Sequence, residues 1–172
     1  VPFGKGYLST FLESLNDIYV FENDRLILFA NAKYTYNWST RQTMRLAPTA
    51  DMPLTREKEE VEWSPGAAWT LTGGAESRVL WDLRLFSNYI WYTKNRDRMS
   101  GSRSDYDYSI LSTGTDVSSR TAEFGAFYTT TDLYLRNKFP VPFKIAGSYS
   151  QTLTGQNTEI IDMAYLELQL YF

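Results

Sequence analysis

Apolar and polar residues alternate along most of this chain, and the alternation predicts β-strands with one apolar and one polar face. In the segment 25–40, for example, Leu26 and Leu28 fall on one face, whereas Asn31 and Lys33 fall on the other. The same pattern predicts six long strands and a shorter seventh, over residues 25–41, 58–73, 77–95, 121–138, 143–154, 158–172 and, for the seventh, 15–21. The chain is therefore expected to be all-β.

The predicted strands are long, and the segments between them alternate between short and long. A strand in a globular protein usually has about 5–6 residues, whereas a tilted strand that crosses a bilayer needs about 9–11. Residues 22–24, 73–76 and 140–142 are expected to be short turns, and residues 42–56 and 96–119 are expected to be long polar loops. Short turns at one end and long loops at the other are typical of an antiparallel transmembrane β-barrel. The short segment 155–157 is the exception.

Aromatic residues are expected at both ends of these strands, where a membrane would have its two interfaces. With the long loops outside, the outer belt comprises Trp38, Trp63, Tyr89 and Trp91, and the inner belt comprises Phe21, Trp81, Phe143 and Phe172. The sequence contains no run of 18 or more apolar residues, so no membrane-spanning helix is expected. A closed barrel of strands is the other way to cross a bilayer.

The composition excludes several kinds of chemistry. The 172 residues include no cysteine and no histidine, which rules out disulfides, thiolate sites, histidine bases and histidine metal ligands. With 17 basic and 20 acidic residues, the chain does not resemble a nucleic-acid-binding protein. A carboxylate mechanism through Glu62 or Glu167 with Asp82 has no supporting spacing. We expect one domain over residues 1–172, no enzymatic activity, no metal and no cofactor.

The last nine residues, AYLELQLYF, resemble the carboxy-terminal signal of bacterial outer-membrane β-barrel proteins. That signal is a terminal phenylalanine preceded by apolar residues at alternate positions, here Leu166, Leu168, Leu170 and Phe172. The resemblance implies recognition by the barrel-assembly machinery and insertion into the lipid bilayer of the outer membrane. It identifies no family within the class, so it assigns no functional residue.

Charged residues on the predicted polar faces are the candidates for chemistry inside such a barrel. They are Lys33, Glu62, Asp82, Arg84, Asp132, Arg136, Lys144 and Glu167. In an eight-stranded barrel, whose interior is filled by side chains, they would pair into a plug. In a wider barrel they would line a wet lumen and tune ion preference.

Charged residues in the long loops suggest contacts outside the membrane. Arg96, Arg98 and Arg103 suit the phosphates of lipopolysaccharide, because the guanidinium fork binds such anions. Asp105 and Asp107 suit a divalent cation. Loops of any protein are charged, however, and ordinary solvated side chains explain the same residues.

The number of strands leaves two architectures open. Seven strands come from this chain, whereas single-chain bacterial barrels normally have an even number. Residues 1–16 supply either an eighth strand or a short helix, for which Thr10 and Glu13 fit a capping box. Alternatively, this chain is the carboxy-terminal part of a larger barrel that another segment or chain completes, which the alternation of loops slightly favours.

Three functions follow from these alternatives. The leading hypothesis is an outer-membrane barrel that serves as a passive pore or transport conduit. The second is a non-conducting scaffold or anchor barrel that acts through its loops. The third is a soluble, lipocalin-like barrel that binds a small apolar ligand.

Overall fold

The computed structural model describes residues 6–21, 25–49, 56–80 and 82–171. These residues are mostly β-structure, as the alternation predicts, and the strands pair in antiparallel fashion. The strands are β1 (Ser9–Ser14), β2 (Asp17–Tyr19), β3 (Leu26–Asn37), β4 (Thr40–Arg45), β5 (Lys58–Ser64), β6 (Ala68–Leu80), β7 (Leu83–Lys94), β8 (Arg98–Ser100), β9 (Val117–Thr129), β10 (Phe143–Gln156) and β11 (Asp162–Leu170). A 3-10 turn covers Tyr108–Ser112, and a short helix, α1, covers Thr131–Leu135.

Most strands form one large sheet in the order β1-β3-β6-β7-β9-β10-β11. Strands β1 and β2 both pair with β3, one after the other, and therefore occupy a single position at the sheet edge. Asn16 joins them, because its side-chain amide donates to the carbonyl of Ala30 (3.0 Å) and its own carbonyl accepts from the Ala30 amide (2.9 Å). Residues 1–16 are predicted to supply either a strand or a short helix, and residues 9–14 of this segment form an edge strand. Within the described ranges, β1 and β11 do not pair, so no closed barrel is seen.

A second sheet, in the order β4-β5-β8, is built largely from residues expected to be loops or the start of a long strand. The predicted strand 58–73 is wrong, because the chain leaves this sheet after Ser64 and enters the large one at Ala68. Gly66 donates its amide proton to Asp97 Oδ1 (2.8 Å), and a Cβ at this position would lie 1.8 Å from the carbonyl oxygen of Asn95. We call residues 40–49, 56–64 and 97–112, which contain β4, β5, β8 and the 3-10 turn, the loop module.

The expected turn at residues 73–76 is also wrong, because β6 continues through it to Leu80. Gly74 lies opposite Phe29 on one side and Asn88 on the other. A Cβ on Gly74 would lie 2.5 Å from Cζ of Phe29. The glycine therefore makes room for a neighbouring aromatic ring inside a strand and does not bend the chain. The expected turn at residues 22–24 lies outside the described residues.

The predicted strand 121–138 ends early, at Thr129. The next residue, Thr130, is fully buried, and its hydroxyl accepts from the Phe143 amide (2.9 Å) and lies 3.0 Å from the Val141 carbonyl. This hydrogen bonding diverts the chain into α1, after which Asn137 adopts a φ of 58°. The connection between β9 and β10 is therefore longer than expected: it contains a helix in addition to the bend at 140–142 that leads into β10.

The buried hydrophobic residues of the described chain are few. They are Leu46, Ala47, Val61 and Ala68, and all lie in or beside the loop module. The large sheet contains most of the strand residues. It contributes to this core only Ala68, the first residue of β6, which lies beside the loop module. What its two faces contact is therefore the main question about this fold.

Candidate functional site

The pairing register divides the side chains of the large sheet into two faces. The polar face carries Glu13, Lys33, Glu76, Arg78, Arg84, Asn88, Lys94, Glu123, Lys144 and Glu167. The apolar face carries Leu28, Trp69, Leu85, Tyr89, Trp91, Phe124, Ile145, Leu166, Leu168 and Leu170. Of the paired residues on the apolar face, Arg120 and Asp162 are charged, and both lie near the end of the sheet that bears the loop module.

Burial on these two faces is the reverse of that in a water-soluble sheet. Along β7, the polar-face residues Arg84 and Asn88 are half-buried, whereas the apolar-face residues Leu85, Tyr89 and Trp91 are exposed. Strand β11 repeats the pattern, since Glu167 is half-buried while Leu166 is 78% exposed. Curvature of a sheet toward its polar face brings the polar-face side chains closer together and moves the apolar-face side chains apart. Such curvature would half-bury the first set and expose the second.

Ion pairs and hydrogen bonds between neighbouring strands follow the polar face from one edge to the other. Among them are Lys33–Glu13 (3.9 Å), Arg84–Glu76, Asn88–Glu123 (3.0 Å) and Lys144–Glu167 (3.8 Å). Two of the cations also lie over aromatic rings, with Lys33 Nζ 4.2 Å from the Phe11 centroid and Lys144 Nζ 5.3 Å from the Phe127 centroid. Charges of both signs are thus spread across the face.

Two polar atoms on this face have no hydrogen-bond partner among the described residues. They are Nε of Arg78 and Oδ1 of Asn88, and both are buried. Arg78 lies directly opposite Arg84, so two cations face each other, with Glu76 bonded to Arg84. Buried groups of this kind normally find a protein partner or a water.

The eight predicted lumen residues lie in three places. Lys33, Arg84, Lys144 and Glu167 are on the polar face. Glu62 is on β5 of the loop module. Asp82 follows β6, Asp132 is in α1 and Arg136 caps that helix, so these three are not on strands. They do come together, around a pocket of about 410 Å³ that Arg78 also lines.

Several polar-face residues were not expected from the sequence. Glu76 falls within the mistaken turn and Arg78 shortly after it, and the pairing of Glu123 with Asn88 is seen only when β7 lies beside β9. Alternation itself could have found the first two, because Thr70, Thr72, Glu76 and Arg78 share a face once β6 is continued. No local signal shows the second pair.

The expected aromatic belts lie partly on the apolar face. At the end near the loop module, Tyr34 contacts Trp69 (ring centroids 4.8 Å apart) and Tyr36 contacts Trp38 (5.2 Å). Tyr89 and Trp91 are on this face at the same end. At the other end, Phe143 contacts Tyr128 (6.0 Å), and Phe21 is exposed. Trp81 and Phe172 lie outside the described residues.

Trp63 has a different role from the other expected belt residues. It lies on β5, contacts Tyr7 edge-on (5.0 Å) and donates its indole proton to Asp97 Oδ2 (3.0 Å). Asp97 is buried, with 4% of its surface exposed, and it also bonds to Lys94 Nζ (2.6 Å). One carboxylate thus connects the loop module to the end of β7.

Inside the loop module, acidic side chains are held by donors from the second long connection. Ser102 donates to Glu59 Oε1 from its amide (2.6 Å) and its hydroxyl (2.7 Å), and Tyr108 donates to Oε2 (2.7 Å). These bonds, Ser102 first, lower the pKa of Glu59. Arg103 bonds to Asp105 (2.8 Å) and to Glu57 (2.6 Å), which lowers the pKa of Asp105. The two long connections are therefore one folded unit.

Other kinds of site receive no support from the described part of the chain. No group of three or more acidic, histidine or cysteine residues there is arranged to hold a metal ion. No helix in those ranges has the length and apolar character needed to cross a membrane. Comparisons of the chain with family models, curated proteins and solved structures give no match. The chemistry of the two faces is therefore the basis for a function.

Proposed function

We propose that this chain is part of an antiparallel β-barrel in the bacterial outer membrane and that this barrel is a passive pore or transport conduit. One observation carries the proposal: the large sheet exposes its apolar face and half-buries its charged face. A soluble domain buries apolar surface, because transfer of that surface out of water is the main favourable term in folding. In a lipid bilayer, by contrast, an apolar face can be exposed to the hydrocarbon chains without this cost.

The dimensions and the distribution of charge support a membrane location. Strands β3, β6, β7, β9 and β10 have 12, 13, 12, 13 and 14 residues, which is enough for tilted strands to cross a bilayer. The paired positions of the apolar face carry charge only at Arg120 and Asp162, near the end with the loop module. From there to Phe143 and Tyr128 at the opposite end, they are uncharged. In water, an apolar patch of this extent would promote aggregation.

The looseness of the outer ion pairs supports a wet lumen over a dry plug. Lys33 and Glu13 are 3.9 Å apart, and Lys144 and Glu167 are 3.8 Å apart. Charges sealed in a dry interior need close pairing to offset their desolvation, whereas these two pairs are longer than a direct hydrogen bond. A face that carries both signs in water suits the wall of an aqueous channel.

Conductance across planar bilayers tests the pore directly. We expect the purified protein, with whatever completes its barrel, to conduct, and Lys144→Glu to shift the reversal potential in a KCl gradient toward cation selectivity. Lys138→Glu is the matched control, because Lys138 is exposed and lies outside the strands. Membrane-integrated protein that never conducts would contradict the pore, and protein that stays monomeric without detergent would contradict the membrane location.

The loop module supports a second function, a scaffold that acts through its loops. Its own buried core and its bonds through Glu59 and Arg103 give it a fixed surface, and binding residues are commonly placed on loops that a rigid scaffold holds. Integration into membranes without conductance would favour this function.

A further inference from the structure

The two edges of the large sheet lack neighbours within the described residues. Strands β1 and β2 pair with β3 alone, and β11 pairs with β10 alone. In lipid, unpaired N–H and C=O groups along an edge cost several kcal/mol each. A sheet that lies in a bilayer therefore has both edges covered.

The side chains of the polar face show where covering strands are missing. In the middle of the sheet, Phe86 and Phe127 are half-buried between neighbouring strands. At the edges, Phe11 on β1 and Tyr165 on β11 lie on the same face but are 63% and 54% exposed. Cross-strand neighbours provide most of the contacts of such side chains. Phe11 and Tyr165 are thus aromatic like the interior residues of this face, but each lacks a neighbouring strand on one side.

Strand direction restricts what can occupy the gap. Neighbours in the large sheet are antiparallel, and β1 and β11 are the first and last of seven positions, so they run in the same direction. Direct pairing of β11 with β1, within one chain or between two copies that share an orientation in the membrane, would be parallel. An odd number of additional strands restores antiparallel pairing on both sides and gives the even total usual for single-chain bacterial barrels.

The charges at the edges indicate the chemistry of those additional strands. On the polar face, the edge positions carry Glu13 and Asp17 on one side and Glu167 on the other. Opposite charges on neighbouring strands are favourable, and like charges are unfavourable. A strand beside these positions is therefore expected to carry lysine or arginine on its polar face and apolar residues on its other face.

We infer that an odd number of strands from outside these 172 residues lies between β11 and β1, antiparallel to both and basic on its polar face. This inference rests on the proposed membrane function. It excludes direct closure of the chain on itself and closure by a second copy of the same seven strands.

Photo-crosslinking in the native membrane tests the inference. Benzoylphenylalanine in place of Met163 and, separately, Gln169 probes β11, because both residues lie on its polar face. We expect both probes to reach one alternating, basic segment outside this sequence, with the residue reached from Met163 later in that segment than the one reached from Gln169. In place of Ser148, which has neighbours on both sides, the probe should reach this chain alone.

Other cross-linking patterns would overturn the inference. Links from β11 to β1, links between copies, links to lipid alone, or links in parallel order would each do so. If a probe prevents folding, hydrogen exchange on the unmodified particle replaces it, and β11 amides are expected to be as protected as those of β10. Membrane-bound protein with unprotected β11 amides would defeat this inference alone, whereas protein that is not in the membrane would defeat the proposed function.

Discussion

The large sheet and the loop module, two regions of one chain, place their apolar residues in opposite ways. In the loop module, Val61 has no exposed surface and Leu46 and Ala47 are buried, as in any protein that folds in water. In the large sheet, Leu166 and Leu168 are exposed while Arg84 and Glu167 are half-buried. Under the function we propose, the two regions are adapted to different solvents, water for the module and lipid for the outside of the sheet.

The largest expected effect comes from a charge on the apolar face. Leu166→Arg should destabilise the inserted protein by about 2 to 4 kcal/mol, the cost of arginine near the middle of a bilayer. Ser148→Arg is the matched control, because Ser148 is on the polar face of β10 and its neighbours on both sides, Tyr165 and Gly125, are uncharged. Reversible unfolding in lipid vesicles measures both. Equal destabilisation by the two substitutions would contradict the proposal that only the apolar face contacts lipid.

A cavity in the loop module should have a smaller and more local effect. Val61→Ala removes apolar contacts from a fully buried site, which we expect to cost about 2 kcal/mol. Hydrogen exchange should increase in β4, β5 and β8 and stay unchanged in β10 and β11. Val79→Ala, at an exposed position of β6, is the control. Loss of protection in the large sheet would show that the two regions unfold together.

The smallest expected effect is the response of the loop module to acid. Glu59 has a lowered pKa in the folded protein, so it stabilises the module above its ordinary value of 4.5, and this contribution is lost as the pH falls below that value. Protection factors of the module amides should therefore decrease between about pH 5 and pH 3. Glu59→Gln should weaken this dependence, and Glu60→Gln, at an exposed position of the same strand, should not. An unchanged pH profile in Glu59→Gln would contradict the role of the carboxylate.

The sequence predicted the strands well where the alternation was undisturbed and failed where chain connections depend on distant contacts. Strands β3, β7 and β11 lie within the predicted segments, because one face of each is mainly apolar. Gly74 looked like a turn residue, and only the ring of Phe29 beside it shows that it lies inside a strand. Likewise, Thr130 ends β9 through bonds to residues more than ten positions away.

The candidate site was predictable to the same extent. Lys33, Lys144 and Glu167 follow from alternation within single strands. The pairing of Asn88 with Glu123 depends on which strands are neighbours, and no local pattern encodes that order. The pocket shared by Asp82, Asp132 and Arg136 depends on a helix in a segment where the alternation predicts a strand.

The loop module also imposes an order on assembly. Strand β8 pairs with β5 through Ser64 and Arg98, and the hairpin of β6 and β7 separates these two segments in the chain. Formation of a contact between distant segments requires closure of the intervening loop, which is slow unless that loop is already folded. We therefore expect the β6–β7 hairpin to form first and to bring the two halves together. The module can be completed only when both connections have reached the same side of the sheet, so its formation reports that the hairpin is in place.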